Sequence, residues 1–94
     1  MPAFAVMIRD RMTDPEEFAT YAKTAGAART ADLKPLAFYG AFEVIEGPSA
    51  EGVVLLQFDS MESAKAWYYS DAYQAAVKHR HAGAEYRVIF VEGV

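Results

Sequence analysis

The sequence predicts an α+β fold in which a four-stranded antiparallel sheet carries helices on one face. Three observations point there. The apolar pattern switches four times between a two-residue and a roughly 3.6-residue period, so two kinds of element alternate along the chain. Gly-, Pro- and Ser-containing clusters punctuate the segments. The strand-like segments carry apolar residues on both faces, which an isolated sheet with one wet face does not need.

Residues 3–10 alternate, with Phe4, Val6 and Ile8 on one face and Ala3, Ala5, Met7 and Arg9 on the other. A helix is expected over 15–31. Asp14 suits its N-cap, Pro15 the first helical position and Glu17 the reciprocal position of a capping box. Phe18, Tyr21, Ala22, Ala25 and Ala28 follow at helical spacing. That stripe is mostly alanine, so the helix can approach a sheet closely.

Pro35 opens a second strand expected over 36–46, with Gly40 marking a bulge or a close backbone approach. The turn cluster Gly47-Pro48-Ser49-Ala50-Glu51-Gly52 then leads into a third strand over 53–58, and so short a link implies an antiparallel hairpin. Ser60 suits the N-cap of the next helical stretch and Ser70-Asp71 looks like a second cap. Two helical pieces are therefore expected, 61–69 and 71–80, ending before Gly83. The last strand spans 85–92.

The order strand-helix-strand-strand-helix-strand is the split βαβ, ferredoxin-like plan (βαββαβ), in one domain over 1–94. Its helices cover only one sheet face. The apolar residues on the other face imply a second copy packed sheet to sheet, since two-fold homodimers are the commonest assemblies and a large bare apolar patch is unusual on a monomer.

Composition narrows the function classes. The chain has 94 residues, net charge −4 and no cysteine. A domain this short buries only about 64% of the surface its unfolded chain exposes. Yet 53% of its residues are apolar, among them 18 alanines and 13 aromatics. Thiol chemistry and cysteine-ligated metals are excluded. The acidic balance and the dispersed Lys and Arg argue against nucleic acid. No apolar run is long enough to span a membrane and no secretory signal stands at the start, so a cytoplasmic protein is expected.

The stretch Phe58-Asp59-Ser60-Met61-Glu62-Ser63-Ala64-Lys65-Ala66-Trp67-Tyr68-Tyr69-Ser70-Asp71-Ala72-Tyr73-Gln74 resembles the signature of the uncharacterised family known as domain of unknown function 1330. Asp14-Pro15 with Tyr21, Arg80, and the ending Val91-Glu92-Gly93 are similar to other features of that family. The resemblance implies the ferredoxin-like fold and a dimeric α/β barrel built from two sheets. It supplies no reaction. Relatives of the wider superfamily include cofactor-independent monooxygenases, muconolactone-type isomerases and haem enzymes, and fold analogy does not choose among them. Where many members carry an Arg-Gly-Gly-like segment, this chain reads Tyr39-Gly40-Ala41.

The residues themselves offer a short set of candidates. His79 is a candidate general base near neutral pH, as is Tyr68 for proton transfer; the alternative for His79 is a solvated helix end. His79 and His81 lie two apart and cannot chelate together on a helix, so no metal is expected. Arg9 is placed on the strand face toward the barrel, where it could hold a carboxylate in a two-pronged hydrogen bond, or else at the strand end beside a surface acid. Arg80 can reach between helix and sheet as a ligand contact, or form a salt bridge or carbonyl cap. Tyr39 and Tyr68 are ligand contacts by virtue of hydroxyls that need partners when buried. Gln57 is a lone amide beside Val53 and Leu55 that a ligand or a partner subunit could satisfy. Trp67 and Tyr73 read as packing residues. The expectation is a small-molecule-binding protein or cofactor-independent enzyme with an apolar, aromatic-lined cavity, either between the sheet and the second helix or inside the dimer barrel. No bound cofactor is expected. The alternative is a non-catalytic dimeric module that regulates or stabilises a partner.

Overall fold

Alternation at the start of the chain becomes β1 (Ala3–Met12) in a computed structural model that describes all of Met1–Val94. The other elements are α1 (Pro15–Ala27), β2 (Lys34–Phe38), β3 (Gly52–Phe58), α2 (Met61–Tyr68), α3 (Asp71–Gly83) and β4 (Ala84–Glu92). The four strands form one sheet in the order β2-β3-β1-β4, every neighbouring pair antiparallel. This is the expected ferredoxin-like arrangement, its second helix divided in two. No helix is long and apolar enough to cross a membrane.

Local chemistry fixes the helix starts. The Asp14 carboxylate accepts hydrogen bonds from the Glu16 and Glu17 backbone N–H groups, with Pro15 at the first turn. Ser60 caps α2 through the Ser63 N–H, and Ser70 caps α3 through the Tyr73 N–H. The reciprocal half of the capping box is not made: the Glu17 carboxylate turns instead to His79 Nδ1 at 2.8 Å. Helix α1 stops at Ala27 rather than residue 31. Beyond it Asp32 draws the chain away, because its carboxylate accepts from the Thr30 and Ser63 hydroxyls and from the Asp59 N–H. Those bonds hold the Asp32 carboxyl below its ordinary range, the Ser63 hydroxyl contributing most.

The second strand departs from expectation. It ends at Phe38, not residue 46, and the link to β3 is correspondingly long. The chain turns at Tyr39, whose φ of 54° lies in the left-handed region that non-glycine residues seldom enter. Gly40 marks no close approach, since nothing lies within 4 Å of the position its β-carbon would take. The irregularity in pairing falls earlier, between Pro35 and Ala37.

The sheet faces divide by parity. Ala3, Ala5 and Met7 of β1 and Val54, Leu56 and Phe58 of β3 are buried in one cluster with Tyr21, Ala64, Trp67, Tyr73, Ala76 and Val77 of the helices. Alanines on both partners let α1 and α3 sit close, and Gly83 allows the closest approach: a β-carbon there would lie 2.6 Å from the Phe18 nitrogen. On the opposite face Phe4, Val6 and Ile8 pair with Gln57, Leu55 and Val53 on one side and with Val91, Ile89 and Arg87 on the other. Helices leave that face open, and Ile89 and Val91 are about half exposed.

Candidate functional site

A cavity of about 410 Å³ opens between α1 and the sheet. It lies against the first helix rather than in the expected place between the sheet and the second helix. Its walls are Phe18, Tyr21, Ala22 and Ala25 of α1, Met7, Val54 and Leu56 of the sheet, Leu33, Pro35, Phe38 and Tyr39 around β2, and Trp67 of α2, with Gly26 and Arg29 completing it. The small side chains of the α1 stripe explain the space. Alanine at 22 and 25 leaves room over β3 that larger residues would fill. Volume and apolar lining suit a small, largely apolar molecule.

Two of the lining residues carry hydroxyls, and both hydroxyls are engaged from behind. Tyr21 bonds the Tyr73 hydroxyl at 2.7 Å. Tyr39 bonds the Tyr86 hydroxyl. Arg80, only 2% exposed, stands behind both pairs. It donates from Nη1 to the Tyr73 hydroxyl at 3.0 Å and from Nη2 to the Tyr68 hydroxyl at 3.4 Å. Its guanidinium also lies 5.4 Å from the Tyr86 ring centre and 5.7 Å from that of Tyr21. Arg80 belongs to none of the four ion pairs of the chain, and its Nε has no hydrogen-bond partner. Burial opposes its charge, yet the surrounding tyrosine oxygens hold its pKa above the ordinary arginine value, so it stays cationic. Burial pushes the Tyr39, Tyr73 and Tyr86 hydroxyls above the usual tyrosine range, so they are neutral at physiological pH. The site therefore holds a buried positive charge with no negative partner.

Whole-chain similarity agrees with this architecture. The family model described as Domain of unknown function (DUF1330) matches residues 2–94. The chain belongs to that family. Solved structures show the same fold at low identity. A protein of unknown function from Rhodopseudomonas palustris is 24% identical with a TM-score of 0.73, over 99% of this chain and 82% of that one. A dimeric ferredoxin-like protein of unknown function from Thermobifida fusca is 14% identical with a TM-score of 0.68, over 97% and 90%. SnoaB, a cofactor-independent oxygenase from Streptomyces nogalater, is 7% identical with a TM-score of 0.65, over 99% and 93%. No curated protein sequence matches the chain significantly.

In this DUF1330 chain the candidates read from sequence do not converge. Tyr39 lines the cavity, and Arg80 lies between helix and sheet as expected, although it forms neither a salt bridge nor a carbonyl cap. Tyr68 lines a different hollow of about 210 Å³ with Tyr69, Val88 and Phe90. Gln57 shares the open sheet face with Phe4 and Leu55, away from the cavity. Arg9 faces the helices rather than the open sheet face expected to form a barrel, because it shares the parity of the buried Ala3, Ala5 and Met7. Its guanidinium lies about 5 Å from the Phe18 and Tyr39 ring centres, and its Nε is 3.6 Å from a Glu51 oxygen, an ion pair too long for a hydrogen bond. His79 sits at the α1–α3 seam with Glu17 and lines neither hollow. No three His, Asp or Glu side chains gather as a metal would need. Tyr21, Tyr73 and Tyr86 are the residues that sequence reasoning left out of the site. Their one signal was abundance: six tyrosines in a chain of 94 residues.

Proposed function

We propose that this DUF1330 protein works as a homodimer in which each subunit binds a small aromatic or largely apolar molecule between α1 and the sheet. The cavity of about 410 Å³, apolar except at Tyr21, Arg29 and Tyr39, carries this reading. Two apolar sheet faces support the dimer, since the face bearing Phe4, Val6, Leu55, Ile89 and Val91 has no cover within one chain. The dimeric description of the Thermobifida fusca neighbour is in keeping with it. Enzymatic turnover of the cofactor-independent monooxygenase or isomerase type would use the same space, and the SnoaB likeness is consistent with that extension.

Trp67 is the only tryptophan and lines the cavity, so its emission reports occupancy. Herniarin, a neutral bicyclic coumarin ether, is expected to quench Trp67 saturably in the wild-type protein, and Ala25→Phe is expected to abolish the quenching by filling the space. Saturable quenching that survives Ala25→Phe, in a variant that still melts cooperatively, would move the ligand elsewhere. A protein that never binds the probe would favour the non-catalytic module. Light scattering tests the dimer by itself, with a mass of twice 10.4 kDa expected.

A further inference from the structure

Each tyrosine that lines the cavity is backed through its hydroxyl by a second tyrosine, and both second tyrosines lie against Arg80. Tyr21 leads to Tyr73 and thence to Arg80 through oxygen contacts of 2.7 and 3.0 Å. Tyr39 leads to Tyr86, whose ring face lies 5.4 Å from the guanidinium. A guanidinium can only donate, so Tyr73 accepts from Arg80. Tyr73 is fully buried, and its own proton is satisfied only if it donates to Tyr21. That direction frees the Tyr21 proton, which has no acceptor within the chain, at the residue shared between relay and cavity. Left as it is, a buried charge without a counter-charge is destabilising. Tyrosine hydroxyls and ring faces offset part of this cost and bring no negative charge of their own.

We infer that the cavity selects molecules with an ionisable oxygen, such as a phenol or an enol, and binds them as the anion. The anionic oxygen accepts from Tyr21, and Tyr73 passes the polarisation on from Arg80. The aromatic body occupies the apolar part of the cavity. This rests on the cavity being the binding site and adds the chemical class of what it takes.

Umbelliferone and its methyl ether herniarin separate the two ideas, because they share a ring system and only umbelliferone can ionise. Umbelliferone absorbance reports its protonation state directly. Binding is expected to lower its apparent pKa by about one unit, a tenfold preference for the anion. In Tyr73→Phe, which keeps the ring and breaks the link to Arg80, the anion preference measured against herniarin on the same variant is expected to fall below about threefold. Equal affinity of wild type for anion and ether, or a preference that persists in Tyr73→Phe, would overturn the inference and leave the cavity reading standing. Failure of both compounds to bind would overturn the cavity reading and the inference with it.

Discussion

Tyr39 lies against Gly52 so closely that a β-carbon on the glycine would sit 2.7 Å from the tyrosine ring. The contact belongs to the turn that ends β2. A left-handed residue with a side chain costs roughly 1–2 kcal/mol, and the Tyr39 side chain packs against Gly52 and Arg9 and bonds the Tyr86 hydroxyl. Gly52→Ala is therefore expected to destabilise the fold by about 1–3 kcal/mol through overpacking. In urea denaturation, Tyr39→Ala combined with Gly52→Ala should cost less than the sum of the two changes. Strict additivity would show that the ring does not hold the turn.

His79 and Glu17 form a half-exposed pair across the helix seam. Such pairs contribute about 0–1 kcal/mol. His79→Gln is expected to leave coumarin affinity within twofold and stability within about 1 kcal/mol. A large loss of affinity with unchanged melting would return His79 to the site.

Arg80 presents the sharper contrast between stability and function. A buried charge without a counter-charge carries a desolvation cost that an apolar side chain of similar length does not incur. Arg80→Met is accordingly expected to melt at or above the parent temperature while losing the anion preference. A stability loss above about 3 kcal/mol would make the guanidinium a structural keystone instead.

Alkaline pH offers a direct test of the tyrosine cluster. Burial raises the folded-state pKa of Tyr39, Tyr73 and Tyr86. Above about pH 10 the unfolded chain has released these protons while the folded one retains them. Their contribution to stability is thus complete below that pH and falls as pH rises toward the folded values. Phenolate absorbance should show at least three of the six tyrosines ionising only as the protein unfolds. Six reversible ionisations near pH 10 in the folded state would place those hydroxyls in water.

Much of the fold is legible because it is local. Asp14, Ser60 and Ser70 each cap a helix using a neighbour two or three residues on, and alternation in β1 and β3 separates the faces. Where β2 ends is not local. Tyr39 turns the chain for the sake of Gly52 and Tyr86, and no alternation rule sees contacts so distant in sequence. The same limit applies to the tyrosine cluster. Tyr21 and Tyr73 are 52 residues apart, and each alone reads as a core aromatic on a helix. Parity groups Gln57 with Val53 and Leu55, but with both parities apolar the pattern does not say which face the helices cover. The alanines at 3 and 5 carry that signal, since close helix packing needs small residues, and they place Arg9 on the helix side too.

The account turns on occupancy of the space between α1 and the sheet. A crystal structure of the protein with umbelliferone tests it most directly. The coumarin is expected against Phe18 and Trp67, with its oxygen within hydrogen-bond distance of Tyr21. A coumarin lodged between the two sheets, or in the hollow beside Tyr68, with the α1 cavity occupied only by water, would contradict it.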